Sequence, residues 1–421
     1  MSKLRPLEYL FSITNSGAYK KVMVLGIPFK FDRTKSNRKF CASLPVQKNK
    51  IIFMNYLGNP YGCNPKYIVE EILKRKLPVD MVWICKRLDE DFIKSFPKEM
   101  RFVKYKSKEC MKEMASARFW ISNYHFVKLL SLGVDKKDDQ YYIQTWHGSL
   151  GIKKIEKNVK SLTEDEKWTE FAQLNSRNVD CWVSNSKFET DIYKEAFWDV
   201  KNIQEYGHPR NDIFFKSDME KEIIKTKVHS ELDIPVDKKF LLYVPSFRDG
   251  EDLSCYELDI ETLKNTLNKK FGGDWVIVSR MHPHFKRRNL EKLNFVGNVV
   301  EANNYPDIQE LLLAADAAIT DYSSCIFDFM LGRKPAFIFA TDIKDYNTER
   351  GFYYPLETTP FQIAVNNSEL CENIMNFDNE NYQRKIDDFL QEKGCIEDGH
   401  ASERVVDLVE KILTGENKCQ I

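Results

Sequence analysis

The chain has 421 residues, more than one hydrophobic core usually spans, so we expect two domains. The chain contains 63 lysine and arginine residues and 63 aspartate and glutamate residues. This balance argues against a nucleic-acid partner and leaves only local charge patterns to interpret. The ten cysteines occur singly, without the close spacing of zinc or redox motifs, and we expect reduced thiols in a cytoplasmic protein.

Residues 1–45 form a leader that mixes large apolar side chains with basic ones. Two interpretations stay open: the segment lies on an anionic membrane surface, or it forms a strand pair that caps the first domain. The residue order of a signal peptide is missing, and no run of about 18 apolar residues occurs, so neither export nor a membrane-spanning helix is predicted. The basic residues are Lys20, Lys21, Lys30, Arg33, Lys35, Arg38 and Lys39.

After the leader, short apolar runs alternate with amphipathic stretches, a pattern typical of parallel βα units. The charged stretch 216–239 divides the runs into two series. We therefore expect an α/β protein with two doubly wound domains, residues 46–212 and 213–400, and a closing helix in 401–421. The strand-like runs are 51–57, 79–85, 117–123, 141–146 and 181–185 in the first domain and 240–246, 274–280, 317–320 and 336–340 in the second.

One first-domain run, 141–146, leads directly into His147. We expect an exposed imidazole that titrates near neutrality and takes a proton as a general base; a capping or packing histidine is the alternative. Gly148 opens the turn and is a candidate substrate contact. Lys153 and Lys154 follow closely and favour an anionic substrate.

In the second domain, polar and basic side chains follow three of the strand-like runs. The carboxyl ends of strands in an open α/β sheet form the ligand-binding edge, so we expect these side chains to meet at one anion. One pair begins a helix, whose free backbone N–H groups and dipole favour phosphate. Taken singly, a capping serine or a surface arginine is the alternative. The candidates are Ser246 and Arg248, Arg280 and His282, and Ser323 and Ser324.

The sequence motifs of several other enzyme classes are missing. Neither an HExxH sequence nor a cysteine pair is present, so no metal site is predicted. A Walker loop and a GxGxxG after the first strand are also missing, which argues against an ATPase or a dehydrogenase.

The motifs resemble, in kind and order, those of the CDP-glycerol glycerophosphotransferases, the family that builds teichoic-acid and related capsule polymers. The similar segments are WHG with its downstream lysines, GHPRND, YVPSFR, RMHP, and TDYSSCIFDF followed by KP, within roughly Lys50 to Leu413. Two departures bear on acceptor choice. Phe247 stands where tryptophan is common, and the leader is not the long N-terminal extension of some members.

The resemblance implies a GT-B fold, in which two Rossmann-like domains hold the active site in the cleft between them. It also implies CMP as the leaving group and a lipid-linked or glycan acceptor at the inner face of the cell membrane, with the protein cytoplasmic and peripheral. The family's proposed base falls on His147, and its donor-phosphate contacts fall on Arg280, His282, Ser323 and Ser324, so both histidines are catalytic candidates.

Two charged residues are secondary candidates in this scheme. Residues 205–212 are predicted to be a linker first, with Arg210 placed to neutralise substrate charge. Asp328, one helical turn beyond the serine pair, is a candidate for the nucleotide ribose, with a buried cap as the alternative. No cofactor is required, and Mg²⁺ is considered only as a companion of the nucleotide.

The working hypothesis is transfer of glycerol phosphate from CDP-glycerol. CDP-ribitol as the donor is the nearest alternative, because two extra hydroxylated carbons leave no signature in the sequence. A sugar transferase of the same architecture and a catalytically silent nucleotide-binding partner in a polymer-export complex are the others.

Overall fold

The computed structural model describes residues 11–16, 19–248, 253–282, 285, 298–343, 346 and 351–415, and the side chains of 14–16, 19, 160 and 161 lie outside the description. The ends of the predicted leader and closing helix, and Pro283 and His284 of the RMHPHF segment, fall outside these residues. Within them, no helix combines the length and the apolar character needed to cross a bilayer. The nine cysteines that they include are all free.

The described residues form three β-sheets, whose strands are named in chain order. The N-terminal sheet contains β1 (Phe11–Ser16), β2 (Tyr19–Val24) and β3 (Ile27–Asp32). The second contains β4 (Gln47–Met54), β5 (Asp80–Cys85), β6 (Arg101–Lys104), β7 (Ala117–Ser122), β8 (Tyr141–Gln144), β9 (Cys181–Ser184) and β10 (Ile203–Glu205). The third contains β11 (Lys239–Tyr243), β12 (Trp275–Ser279), β13 (Val299–Glu301), β14 (Ala317–Thr320), β15 (Ala336–Phe339) and β16 (Gln362–Ala364).

Helices connect these strands. In the first half they are α1 (Thr34–Ser43), α2 (Cys63–Lys74), α3 (Glu90–Ile93), α4 (Lys108–Ser116), α5 (Val127–Leu130), α6 (Lys160–Thr163), α7 (Glu166–Asn178) and α8 (Lys187–Ala196). In the second half they are α9 (Asp218–Glu231), α10 (Ile260–Phe271), α11 (Ile308–Ala314), α12 (Cys325–Phe329), α13 (Asn367–Met375), α14 (Asn379–Lys393) and α15 (Ala401–Thr414). Short 3₁₀ helices cover Glu156–Asn158, Pro209–Phe215, Ser254–Tyr256, Met330–Gly332 and Leu356–Thr358.

The two larger sheets are parallel throughout. Their strand orders are β10-β9-β8-β7-β4-β5-β6 and β13-β12-β11-β14-β15-β16. In each sheet the chain starts near the middle and winds outwards in both directions, which is the doubly wound arrangement. The predicted fold class, an α/β protein with a GT-B-like fold of two Rossmann-like doubly wound domains, is confirmed.

The strands that the sequence analysis missed in these two sheets are their four edge strands, β6, β10, β13 and β16. Each has three or four residues, and most of these residues are only partly buried. Central strands of a parallel sheet are buried on both faces and therefore give continuous apolar runs in the sequence. Edge strands lack this signal, because fewer of their side chains need to be apolar.

The predicted closing helix, α15, packs on the first domain although it follows the second. Val405 and Val409 lie in the same apolar cluster as Ile51 of β4. Arg75, just after α2, adds ion pairs to Asp407 at 2.6 Å and Glu410 at 2.5 Å. The end of the chain therefore ties the second domain back to the first.

The leader folds as a three-stranded antiparallel sheet followed by α1, rather than as a strand pair alone. Helix α1 belongs to the body of the first domain. Its Cys41 is buried in an apolar cluster, and the Asn37 side chain donates a hydrogen bond of 2.9 Å to the carbonyl of Leu132.

A buried charge cluster joins the two domains. The Lys66 ammonium of α2 lies 2.9 Å from Asp307 and 2.6 Å from Glu310, at the start of α11. The hydroxyl of Tyr67 donates to the same Asp307 carboxylate at 2.8 Å. Two buried carboxylates surround this lysine and raise its pKa, against the cost of burying the charge. The cluster therefore holds α2 against α11 across the cleft.

Replacing Lys66 by methionine should lower the free energy of unfolding by about 3–5 kcal/mol, because Asp307 would remain buried without its cation. The measurement is urea unfolding followed by tryptophan fluorescence. Lys74→Met is the matched control: this lysine is 67% exposed and pairs with Glu71 at 3.2 Å, so its loss should cost less than about 1 kcal/mol. Equal losses for the two variants would contradict a structural role for the cluster.

Candidate active site

His147 sits in a sharp turn directly after β8. Trp146 adopts a left-handed conformation with φ of 51°, and the Asn64 side chain donates to the carbonyls of Trp146 at 3.1 Å and Thr145 at 3.3 Å. The Nδ1 atom of His147 lies 2.8 Å from the carbonyl oxygen of Asn123. Because a carbonyl only accepts hydrogen bonds, Nδ1 carries the hydrogen and Nε2 of the neutral ring keeps its lone pair. The turn therefore presents the tautomer that a general base needs.

Aromatic rings enclose this imidazole. Their centroids lie 4.3 Å away for Trp146, 4.7 Å for Tyr56 and 5.7 Å for Tyr124. Burial lowers the pKa of His147 to about 3, and the positive charges of Arg210 and the neighbouring histidines act in the same direction. The expectation of an exposed ring that titrates near neutrality is therefore wrong: the ring is partly buried and neutral.

The turn after His147 lies against the start of α12 in the second domain. A Cβ atom added to Gly148 would be 3.9 Å from the Ser324 hydroxyl oxygen, and one added to Gly151 would be 3.3 Å from the Ser324 Cβ. Ser324 is the N-cap residue of α12, yet its side chain makes no capping hydrogen bond. The capping alternative is thus not what the structure shows. The hydroxyl of the adjacent Ser323 interacts with the Cys325 thiol.

Arg280, after β12, brings a partly buried cation to the same region. Its Nη1 atom donates to the carbonyls of Tyr305 at 2.6 Å and Ala302 at 3.2 Å. Among the described residues, no carboxylate lies within ion-pair distance of this guanidinium, and burial lowers its pKa. The Asp307 carboxylate, Cys325 of α12 and Tyr56 of the first domain all act on it electrostatically. A partly buried cation oriented only by carbonyl groups is suited to an anionic ligand.

His282 follows Arg280 at the same edge. Its ring is 5.9 Å from that of Phe247, and its charge acts on His147. The structure therefore brings the two predicted catalytic histidines into electrostatic range of each other.

Ser246 and Arg248, after β11, are at this edge but differ in how they are engaged. The Ser246 hydroxyl accepts a hydrogen bond of 3.2 Å from Lys153, a first-domain side chain that crosses the cleft. The Arg248 guanidinium lies 2.8 Å from Asp321 and 2.7 Å from Asp342. Two carboxylates thus balance the charge of Arg248. The cation that faces this edge from the other domain is Lys153.

Arg210 and Asp328 bind each other. The Arg210 Nε and Nη2 atoms lie 3.0 and 3.3 Å from the two carboxylate oxygens of Asp328, and Gln309 donates to this carboxylate at 3.0 Å. The backbone N–H of Arg210 donates to the Asn64 side chain at 3.0 Å. The predicted linker is therefore part of the interdomain packing, and the proposed substrate and ribose contacts of this pair stay predictions.

Comparisons with known proteins identify the family of this chain. The sequence profile of the CDP-Glycerol:Poly(glycerophosphate) glycerophosphotransferase family matches residues 37–411. The chain belongs to this family.

Individual members are similar over most of this chain. The teichoic acid poly(glycerol phosphate) polymerase of Staphylococcus epidermidis is 32% identical over 87% of this chain and 51% of its own length, so the chain spans about half of that relative. The teichoic acid glycerol-phosphate transferase of Staphylococcus aureus is 31% identical over 89% of this chain and 95% of its own length. A solved variant of the wall teichoic acid polymerase TagF soaked with CDPG superposes with a TM-score of 0.75 at 29% identity, covering 90% of this chain and 94% of that one.

A partly buried carboxylate, Glu397, is linked by hydrogen bonds to the His147 turn, and sequence analysis missed it. Glu397, in the segment that returns to the first domain, accepts hydrogen bonds from the side chains of Asn211 at 2.8 Å and Asn185 at 3.0 Å. Asn185 also donates to the hydroxyl of Ser149, in the turn that begins with His147, at 2.6 Å. Glu397 lies far from the turn in the sequence, within a charged stretch, so no local pattern could have revealed it.

The Glu397 carboxyl gives a pH-dependent contribution to stability. Burial raises its pKa to about 7 in the folded protein, from 4.5 in an exposed chain. Between these values the folded protein binds more protons than the unfolded chain, so this contribution to the free energy of unfolding falls as pH rises.

Glu397→Gln removes this titration and keeps an oxygen that accepts the same hydrogen bonds. Relative to the parent protein, the variant should gain about 1–3 kcal/mol in the free energy of unfolding as pH rises from about 4.5 to about 7. Thermal unfolding of both proteins across this pH range measures the difference. Glu392→Gln, at a side chain that is 64% exposed, is the control and should give a difference that does not change with pH. A flat difference for Glu397→Gln would contradict the assignment.

Proposed function

We propose that this chain transfers glycerol phosphate from CDP-glycerol to a hydroxyl group of a lipid-linked or glycan acceptor and releases CMP, in the synthesis of a teichoic-acid or capsule-type polymer. The observation that carries the proposal is the neutral His147, with its Nε2 lone pair available, in a turn packed against Ser324 at the edge that holds Arg280. Family membership and the activities named for the relatives support the same chemistry.

The proposed step is an in-line displacement at phosphorus. The acceptor oxygen forms a bond to the phosphorus that carries glycerol, and the bond from this phosphorus to the oxygen bridging the diphosphate breaks. CMP leaves with that oxygen and its electron pair, and the acceptor proton passes to Nε2 of His147. The negative charges of the diphosphate favour the protonated imidazole, so donor binding should raise the low pKa of His147 and make it a better base.

Positive groups around the diphosphate supply the rest of the catalysis. The proposed position of the diphosphate lies among Arg280 and His282 of the second domain and Lys153 of the first. The hydroxyls of Ser323 and Ser324 are hydrogen-bond donors beside these groups. Charges held in place before the reaction stabilise the transition state without reorganising. Among the described residues, no group of three or more histidine, cysteine or acidic side chains is placed to hold a metal ion. We propose no protein-bound ion for this step and place any Mg²⁺ with the nucleotide.

The proposed place of work is the cytoplasmic side of the cell membrane, with the protein bound peripherally. A lipid-linked acceptor is held at the membrane, so its hydroxyl group is reached only by an enzyme that works at that surface. The basic and apolar residues of the N-terminal segment support such a location.

His147→Asn should lower the rate of CMP release by about 10²–10⁴-fold, because the amide cannot take the acceptor proton. The affinity for CDP-glycerol, measured by calorimetry, should stay within about threefold, whereas Arg280→Met should weaken it at least about tenfold. His229→Asn is the matched control, since His229 is also buried with Nδ1 against a carbonyl, that of Pro235 at 3.2 Å, but lies away from the cleft. Near-normal turnover of His147→Asn would remove the base assignment.

Donor choice is tested by offering CDP-glycerol, CDP-ribitol and a nucleotide sugar to the purified chain with membrane extract. CDP-glycerol should give the highest rate of CMP release, and phosphorus labelled next to the glycerol should be retained in the polymer. Faster CMP release from CDP-ribitol would show that CDP-ribitol is the donor and would leave the proposed mechanism unchanged. Transfer of a sugar without phosphorus would overturn both.

A further inference from the structure

The N-terminal sheet, β1 to β3, has one face made almost wholly of apolar side chains. Residues directly opposite each other in neighbouring antiparallel strands project from the same face. The register of the two strand pairs therefore places seven apolar residues together on one side. They are Phe11, Ile13, Val22, Val24, Ile27, Phe29 and Phe31.

This face points away from the rest of the protein. Phe11 and Ile27 are each 59% exposed and Phe31 is 54% exposed, while Leu25 at the turn between β2 and β3 reaches 73%. On the opposite face Met23 is only 8% exposed, but Lys21, Pro28, Lys30 and Asp32 are exposed, so that face is largely polar where it meets solvent. Exposed apolar patches of this kind are uncommon on monomeric proteins and mark surfaces that bind something.

The sheet leads directly into helix α1 of the first domain. The Asp32 carboxylate at the end of β3 accepts a hydrogen bond of 2.8 Å from the backbone N–H of Thr34 at the start of α1. Within α1, Arg38 pairs with Asp135 at 2.5 Å, and Cys41 is buried. The sheet is therefore joined to the first domain through α1.

The charge of the segment identifies the kind of partner. Residues 11–43 contain seven basic residues and one acidic residue, although the whole chain is balanced. Lys20 lies on the apolar face itself, opposite Phe31. A second copy of the chain would bring an equal positive charge against this one, which opposes symmetric pairing. Anionic phospholipid headgroups complement the charge, and the boundary of their acyl chains accepts the apolar side chains.

We propose that the apolar face of β1 to β3 is a membrane-docking surface, whose large side chains enter the headgroup boundary of an anionic bilayer while Lys20 on the same face binds a headgroup and the net positive charge of the segment attracts the bilayer. The inference deepens the proposed location at the membrane and rests on that part of the proposed function. It assigns the docking to a β-sheet face, with α1 as its support.

The test is flotation of the full chain with phosphatidylglycerol-containing vesicles and with vesicles of phosphatidylcholine alone. The triple variant Ile13→Thr, Phe29→Thr and Phe31→Thr keeps strand-forming side chains and removes much of the apolar area. It should lower the vesicle-bound fraction at least about tenfold. Point substitutions are preferred to deletion of residues 1–45, which would also remove buried residues of α1. The matched control is Met219→Thr, Ile223→Thr and Val236→Thr, at apolar side chains that are 77%, 64% and 72% exposed in the second domain.

The outcomes separate docking from catalysis. Binding to the anionic vesicles that the face variant loses and the control retains supports the proposal. Equal binding by the face variant, or no binding by the parent chain, overturns it, as does a parent dimer that the face variant converts to a monomer in sedimentation. CMP release is measured with detergent-solubilised membrane extract, where docking is not needed. The face variant should match the parent there, and no release from either would count against the transferase alone.

Discussion

Burial of paired charges between the two domains is the constraint on which the rest of the structure depends. Lys66 with its two carboxylates and Arg210 with Asp328 place full charges where water cannot solvate them. Such pairs contribute little net stability compared with apolar packing, but breaking one is costly, so they allow only one arrangement of the partners. The mutual position of the domains, and with it the width of the cleft, follows from this requirement.

The geometry at His147 is a consequence of that arrangement. Asn64 lies between the charge pairs and the turn: its amide group donates to the carbonyls before His147, and its oxygen accepts from the backbone of Arg210. The turn is thereby tied to the interdomain contact on one side and, through Ser149 and Asn185, to Glu397 on the other. Held in this way among aromatic rings, the imidazole has a low pKa and a single useful tautomer, and a diphosphate nearby would alter both its charge balance and its basicity.

Much of the fold was predictable from sequence because the central strands are buried on both faces and therefore appear as continuous apolar runs. The polar residues after those runs were predictable as well, since the carboxyl ends of parallel strands meet at one edge. Prediction failed where a residue's role depends on distant partners. No local pattern indicates that Asp321 and Asp342 pair with Arg248, and the contribution of Glu397 arises only because the chain returns to the first domain.

By itself, the sequence determined the α/β class, the division into two domains and the motifs that place this chain in its family, because these depend on local periodicity and on short segments whose residues act together. Only the tertiary structure decided which charged side chains pair with each other, which imidazole nitrogen is available and which face of the N-terminal strands is left uncovered. Those properties are set by burial and by contacts between segments far apart in the chain, and neither leaves a local pattern.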